Sequence, residues 1–247
     1  MHKHIPPRIH VFSDFDATIT LRDTGTTLID HPERGMGKQR RLELEHQVME
    51  GIITYRQAVQ EMWDSVTLTW EEADELYKEI EADPDFSNFY HMCERTKIPL
   101  TVVSSGLRPI IDMFMHRFLG EAAKSMDIIS NHAKIGDRKW QIIWNDDSEY
   151  GNDKSIPIKK VRESLGNDAV IIFVGDGISD VSAAKSADIL FARHGLDLEK
   201  WCKRERVPFR GFSRFGEVEE VILGLLDGRY RLSRPVDGKG FCELVEA

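Results

Sequence analysis

The sequence predicts an α/β fold, a doubly wound parallel-sheet core of Rossmann type carrying a small helical cap domain. Three observations predict it. Short β-branched runs recur and each ends in a cluster of Gly, Ser or Asp. Amphipathic helical patterns separate these runs. Between residues 22 and 88 the alternation stops and only helical pattern remains. Strands bounded by turn residues and joined through helices read as a parallel sheet, because crossover helices bury both of its faces.

The first strand is expected over residues 8–12, running into Ser13-Asp14-Phe15-Asp16. The second, residues 99–103, ends in Ser104-Ser105-Gly106, and the third, residues 169–174, in Gly175-Asp176-Gly177. Residues 188–192 and 207–212 supply a fourth and a fifth. Helices are expected over 108–119, with Ile111, Phe114, Met115 and Phe118 on one face and Gly120 as C-cap. They are also expected over 155–165, with Pro157 in the first turn and Gly166 beyond the end, and over 217–226 before Gly228.

Two segments depart from this rhythm. Within 22–88, Thr69-Trp70-Glu71-Glu72 is a capping box, followed by Ala73, Leu76, Tyr77 and Ile80 at helical spacing. Val59, Met62, Trp63 and Val66 form another apolar stripe. Lying between the first and second strands, this insert reads as a helical cap, which gives a core of residues 1–21 and 89–247 and a cap of residues 22–88. Residues 134–145 read as a β-hairpin, with Trp140, Ile142 and Trp144 alternating after the turn pair Gly136-Asp137.

Composition narrows the function. The 247 residues carry 33 Lys and Arg against 42 Asp and Glu, a formal net charge of −9. That balance offers no broad cationic field for nucleic acid or an anionic membrane, so neither partner is expected. No apolar run approaches a membrane span, and the polar N-terminus lacks the core of a secretory signal. Cys93, Cys202 and Cys242 are scattered and read as reduced thiols, which suggests a cytoplasmic protein. Monomer and homodimer both remain open.

Ligands of open α/β sheets bind beyond the carboxyl ends of the strands, so the polar clusters that end them should converge. Asp14 and Asp16 lie two apart, Thr18 and Ser104 add hydroxyls, and Asp176 leads into Asp180 at a helix start. Lys154 stands at the threshold of the Pro157 helix; Lys159 and Lys160, inside that helix, are the alternatives for a phosphate-binding lysine. Clustered carboxylates repel one another unless a cation lies among them, and hard oxygen ligands suit Mg²⁺. Such an ion lowers the repulsion between an anionic nucleophile and a small phosphate ester. Backbone amides near Ser105 add donors for the transition-state charge. Asp23 and Arg108 follow the motif residues closely, and substrate contact and a surface role are both open for them. The tryptophans read as packing residues.

At these residues the sequence resembles the haloacid dehalogenase superfamily of phosphatases. Asp14-Phe15-Asp16-Ala17-Thr18 is similar to its DxDx(T/V) signature, Ser104 to its second motif, Lys154 to its third, and Gly175-Asp176-Gly177-Ile178-Ser179-Asp180 to GDxxxD. The resemblance implies Asp14 as nucleophile and magnesium ligand, and Asp16 as acid/base with its carbonyl on the metal. It implies Asp176 as a further ligand and Asp180 as support, directly or through water. Thr18, Ser104, Ser105, Gly106 and Lys154 would bind substrate. The cap resembles the C1 type of phosphoserine and methionine-salvage phosphatases, and the run 103–106, the hairpin and the strand at 188–193 look closest to fungal sugar- or polyol-phosphate phosphatases. Ala17 stands where many members have Gly. A phosphoserine- or methionine-salvage-type phosphatase, or a non-catalytic binding or regulatory protein on the same fold, is the alternative.

Overall fold

The structure is a computed structural model describing residues 5–233 and 242–246; residues 1–4 of the polar N-terminus lie outside them. In chain order the first half runs β1 (Ile9–Ser13), α1 (Thr24–Ile29), α2 (Lys38–Met49), α3 (Tyr55–Asp64), α4 (Trp70–Tyr77), α5 (Phe86–Thr96), β2 (Leu100–Leu107) and α6 (Arg108–Leu119). The second half runs β3 (Asp127–Gly136), β4 (Lys139–Ile143), α7 (Ser155–Leu165), β5 (Val170–Gly175), α8 (Val181–Ala184), β6 (Ile189–Arg193), α9 (Asp197–Glu205), β7 (Arg210–Phe212), α10 (Phe215–Asp227), β8 (Tyr230–Ser233) and β9 (Glu243–Glu246). The chain divides into two compact units, Met1–Asp14 with Asp83–Val103 and Lys154–Ala247, and Phe15–Ala82 with Ser104–Asp153.

The first unit holds the parallel sheet. Its strands follow the order β2-β1-β5-β6-β7, with Phe12 opposite both Thr101 and Phe173 in register. Every residue of β1 and β5 is buried, as strands covered on both faces must be. Phe215, at the start of α10, packs its ring against Phe86, Phe89 and Phe212 at centroid distances of 5.2, 5.0 and 5.9 Å. The fifth strand is shorter than the sequence suggests and begins at Arg210. The Val207 amide is spent on the Cys202 carbonyl at the end of α9, and Pro208 has no N–H for a ladder. Outside the sequence reading, β8 and β9 pair as an antiparallel ribbon.

The second unit contains α1 to α4, α6 and the hairpin. The Thr69 capping box forms in both directions, Glu72 N–H donating to Thr69 Oγ1 at 3.2 Å and Thr69 N–H to Glu72 Oε2 at 2.9 Å. Its helix stops at Tyr77, so Ile80, expected on the same stripe, is buried one turn beyond the helix end. The chain leaves the helix there to close the insert. Leu21 N–H donates to the Glu81 carbonyl at 2.9 Å, and Thr20 bridges Ala82. In the hairpin Gly136 pairs with Lys139, which puts Asp137 and Arg138 at the tip, one residue beyond the expected turn pair. Arg138 takes the positive φ of 53° that such a tip requires.

Trp140 anchors the hairpin. It is 1% exposed, stacks on Trp63 and Trp70 at 5.6 and 5.9 Å, and its Nε1 donates to the Leu68 carbonyl at 2.8 Å. Trp140→Ala is expected to cost about 3–5 kcal/mol in urea denaturation. Trp140→Phe keeps a ring in the stack but leaves the Leu68 carbonyl unpaired, at about 1–3 kcal/mol. An alanine variant within about 1 kcal/mol of wild type contradicts this account of the anchor.

Candidate active site

The first unit gathers charge at the ends of β1 and β5. Asp14 follows β1 directly, and its N–H donates to the Val174 carbonyl at 2.9 Å, extending the β1–β5 pairing to the carboxylate itself. Lys154 is the N-cap residue of α7. Its Nζ lies 2.7 Å from Asp14 Oδ1 and 2.6 Å from Asp180 Oδ1. Lys154 and Asp180 are fully buried and Asp14 nearly so. Burial works against the Lys154 ammonium, but the Asp14 and Asp180 carboxylates outweigh it and hold its pKa above the ordinary lysine range. The ammonium is therefore charged at any working pH. Asp180 Oδ2 accepts from the N–H groups of Asp176 and Gly177 at 2.9 and 3.0 Å, bracing the loop that carries Asp176. A Cβ at Gly175 would overlap that carboxylate, so glycine is required where β5 ends. One carboxylate oxygen from each of Asp14, Asp176 and Asp180 lies within 4.8 Å of the others.

The second unit gathers directional donors and acceptors. After Asp14 the chain curls tightly, with the amides of Thr18, Ile19 and Thr20 all donating to the Phe15 carbonyl. Ala17 sits in this curl at φ 51°, a left-handed conformation costing an alanine about 1–2 kcal/mol. Asp16 Oδ1 accepts two hydrogen bonds from one residue, the Thr24 N–H at 2.7 Å and the Thr24 hydroxyl at 2.6 Å. Asp16 Oδ2 faces Gly106, where an added Cβ would lie 2.9 Å from Oδ2 and 3.1 Å from Ser104 Oγ. Ser104 Oγ accepts the Gly106 N–H at 3.0 Å, so its own proton is aimed elsewhere. Thr18 is buried, and Ser105 is half-buried on the same strand end.

Thus Asp14, Lys154, Asp176 and Asp180 are brought together in one unit, and Asp16, Ser104 and Gly106 in the other. Lys159 and Lys160 point out of α7 to solvent, which leaves Lys154 as the lysine among the carboxylates. Asp23 is the N-cap of α1, accepting the Thr26 N–H at 2.7 Å, and burial raises its pKa. Arg108 pairs with Asp112 and donates to the Ile128 carbonyl. Thr24 is the residue that sequence reasoning missed. Its signal was slight, a threonine directly after an Asp N-cap.

This site and fold define a Rossmann-like enzyme class with an acidic centre, and comparison with known proteins gives its family. The profile of the haloacid dehalogenase-like hydrolases matches residues 11–185, and the chain belongs to that family. Pdp3-interacting factor 1 of Schizosaccharomyces pombe is 40% identical over 222 residues, covering 88% of this chain and 96% of that protein. Polyol phosphate phosphatase PYP1 of Saccharomyces cerevisiae is 38% identical over 228 residues, covering 88% and 94%. A solved structure of phosphoserine phosphatase, a phospho-aspartyl intermediate analogue, shares the fold with a TM-score of 0.65 at 18% identity, covering 87% of this chain and 99% of that one.

Lys154→Met leaves two buried carboxylates without their shared cation. In chelator the variant is expected to lose about 3–5 kcal/mol of stability by urea denaturation. A loss below about 1 kcal/mol would show that the carboxylates do not depend on the ammonium.

Proposed function

We propose that the protein hydrolyses a small phosphorylated polyol or sugar, using Asp14 as nucleophile and Mg²⁺ as cofactor. The protein is a phosphoric monoester hydrolase, the class of its family and of its polyol phosphate phosphatase relative. One observation carries the mechanism, the cluster of buried Asp14 and Asp180 with half-buried Asp176, and Lys154 on the two buried carboxylates. Three carboxylates and one ammonium leave two net negative charges. All-oxygen donors with that charge fit a magnesium ion, which Asp14, Asp176 and the Asp16 carbonyl would hold. Asp180, with one oxygen on Lys154 and the other on two amides, would support the metal site, directly or through water. When bound, magnesium neutralises charge between the carboxylate nucleophile and the phosphoryl oxygens.

The side chains divide the remaining work. Asp14 attacks phosphorus, a carboxylate–phosphorus bond forms, and the ester P–O bond breaks. Asp16 gives its proton to the departing alkoxide. It then takes one from the water that cleaves the aspartyl phosphate and releases inorganic phosphate. Because Oδ1 already accepts two donors from Thr24, the acid proton belongs on Oδ2. Lys154, the Ser104 hydroxyl and the amides at Ser105 and Gly106 hold the phosphoryl oxygens. Thr18 would bind substrate as well. Residues 22–88 act as the cap that reads the leaving group, and 1–21 with 89–247 as the core. Reduced thiols at Cys93, Cys202 and Cys242 suit a reducing, cytoplasmic setting.

A relative named for a protein interaction does not displace this reading. A pure binding module has no use for an acid/base carboxylate at Asp16 or for the buried lysine, and both are present.

Asp14→Asn is expected to fold and to lose turnover by at least about 10⁴-fold, because the uncatalysed reaction is so slow. Activity within about tenfold of wild type sinks the assignment. Chelation is expected to abolish activity and added Mg²⁺ to restore it, whereas Ca²⁺, with its larger and looser shell, should not. Full turnover in chelator contradicts the metal site. A screen over phosphorylated polyols, sugars, serine and nucleotides tests the substrate class. A polyol or sugar phosphate should give the highest kcat/KM, and a clear preference for serine phosphate or a nucleotide overturns that choice.

A further inference from the structure

Three asparagines meet at the end of β2. Asn131 and Asn152 are each 1% exposed. Asn152 Nδ2 donates to the Ser104 carbonyl at 2.7 Å and, at 3.4 Å, to that of Ile129. Asn131 Nδ2 donates to the Ser105 carbonyl at 2.9 Å. Asn145 ties the two together. Its backbone N–H donates to Asn131 Oδ1 and its Nδ2 to Asn152 Oδ1, both at 3.0 Å. No member can be flipped without setting oxygen against oxygen, so the network fixes its own orientation. Burying such amides is costly unless they are satisfied; Asn131 and Asn152 are buried with amide and oxygen both engaged, and Asn145 bonds to both from an exposed position.

The consequence follows from peptide planarity. A carbonyl and the next N–H share one rigid plane, so holding one end aims the other. Asn152 on the Ser104 carbonyl aims the Ser105 N–H. Asn131 on the Ser105 carbonyl aims the Gly106 N–H, which in turn holds Ser104 Oγ at 3.0 Å. The Ser104 hydroxyl is thus oriented by a residue 27 positions away in β3, through two hydrogen bonds and one peptide plane.

We propose that Asn131, Asn145 and Asn152 form a positioning clamp that orients the Ser104 hydroxyl and the Ser105 amide for binding phosphoryl oxygens. The proposal rests on the phosphatase reading above. The clamp makes no contact with the reacting atoms in this account; it acts through β2. Its effect should fall on phosphoryl binding and leave magnesium binding alone, because it braces neither Asp14 nor Asp176.

The test uses the full-length, magnesium-loaded enzyme with inorganic phosphate as a competitive probe. Asn131→Leu and Asn152→Leu remove the donors at similar volume. Each is expected to lower kcat/KM by about 100-fold, the scale set by misplacing a binding group by about 1 Å. The inhibition constant for phosphate should rise at least about tenfold, and the Mg²⁺ concentration for half-activation should stay within about twofold. Combined with Ser104→Ala, Asn131→Leu should cost little more than Ser104→Ala alone, since both remove the same hydrogen bond to the phosphoryl group. If the leucine variants do not fold, Asn145→Ala decides, because it removes only the amide to Asn152. A phosphate inhibition constant raised about threefold or more supports the clamp, and an unchanged one overturns it. Folded leucine variants with wild-type phosphate inhibition, or an Asn131→Leu loss that simply adds to that of Ser104→Ala, also overturn it. A wild-type protein that neither hydrolyses phosphate esters nor binds phosphate removes the phosphatase reading itself, and the clamp with it.

Discussion

The constraint on which the rest depends is the buried Lys154 ammonium, shared between Asp14 and Asp180 at 2.7 and 2.6 Å. Three charges withdrawn from water are tolerable only with close geometry and with the remaining oxygens satisfied. The fold meets both conditions. The Asp14 backbone is pinned to β5 through Val174, Asp180 Oδ2 takes two amides of the Asp176 loop, and Lys154 arrives as the N-cap of α7. The ends of β1 and β5 and the start of α7 must therefore occupy fixed places. The acidic excess left over suits the set to a divalent cation.

Much of this was legible in the sequence because it is local. Helices α6 and α7 run from Arg108 to Leu119 and from Ser155 to Leu165, as their apolar stripes and closing glycines indicate. The carboxylates follow strands that announce themselves by short runs rich in β-branched and aromatic residues. What was not legible is what depends on distant partners. The sequence reading ends the second strand at residue 103, since Ser-Ser-Gly resembles a terminator, yet β2 continues to Leu107. Thr24, Asn131, Asn145 and Asn152 are ordinary polar residues in isolation, and only their hydrogen bonds across the chain give them weight. Helix α9 did leave a trace, with Leu198, Trp201 and Cys202 buried at helical spacing. The β8–β9 ribbon left almost none, its strands being four residues each and separated by nine.

The chain passes between its two units at Asp14–Phe15, Ala82–Asp83, Val103–Ser104 and Asp153–Lys154. Three of these four crossings fall inside the segments that resemble the family's motifs. Each motif is thereby divided. Asp14 belongs with the parallel sheet and Asp16 with the second unit; Ser104 is separated in the same way from Val103, and Lys154 from Asn152.

The division has a physical sense. Charge acts over several ångströms and varies slowly with distance, so carboxylates and an ammonium need a scaffold that excludes water and balances charge. The buried parallel sheet provides that. A hydrogen bond weakens steeply with angle and with a few tenths of an ångström, so a hydroxyl or an acid proton needs orientation, not merely burial. The second unit provides this by doubling its contacts, with two donors from Thr24 on one oxygen of Asp16, and amides from two asparagines on consecutive carbonyls of β2. A carboxylate held by electrostatics and a carboxylate held by direction place different demands on the surrounding chain. That explains why two residues only two apart, Asp14 and Asp16, are supported by such different structures.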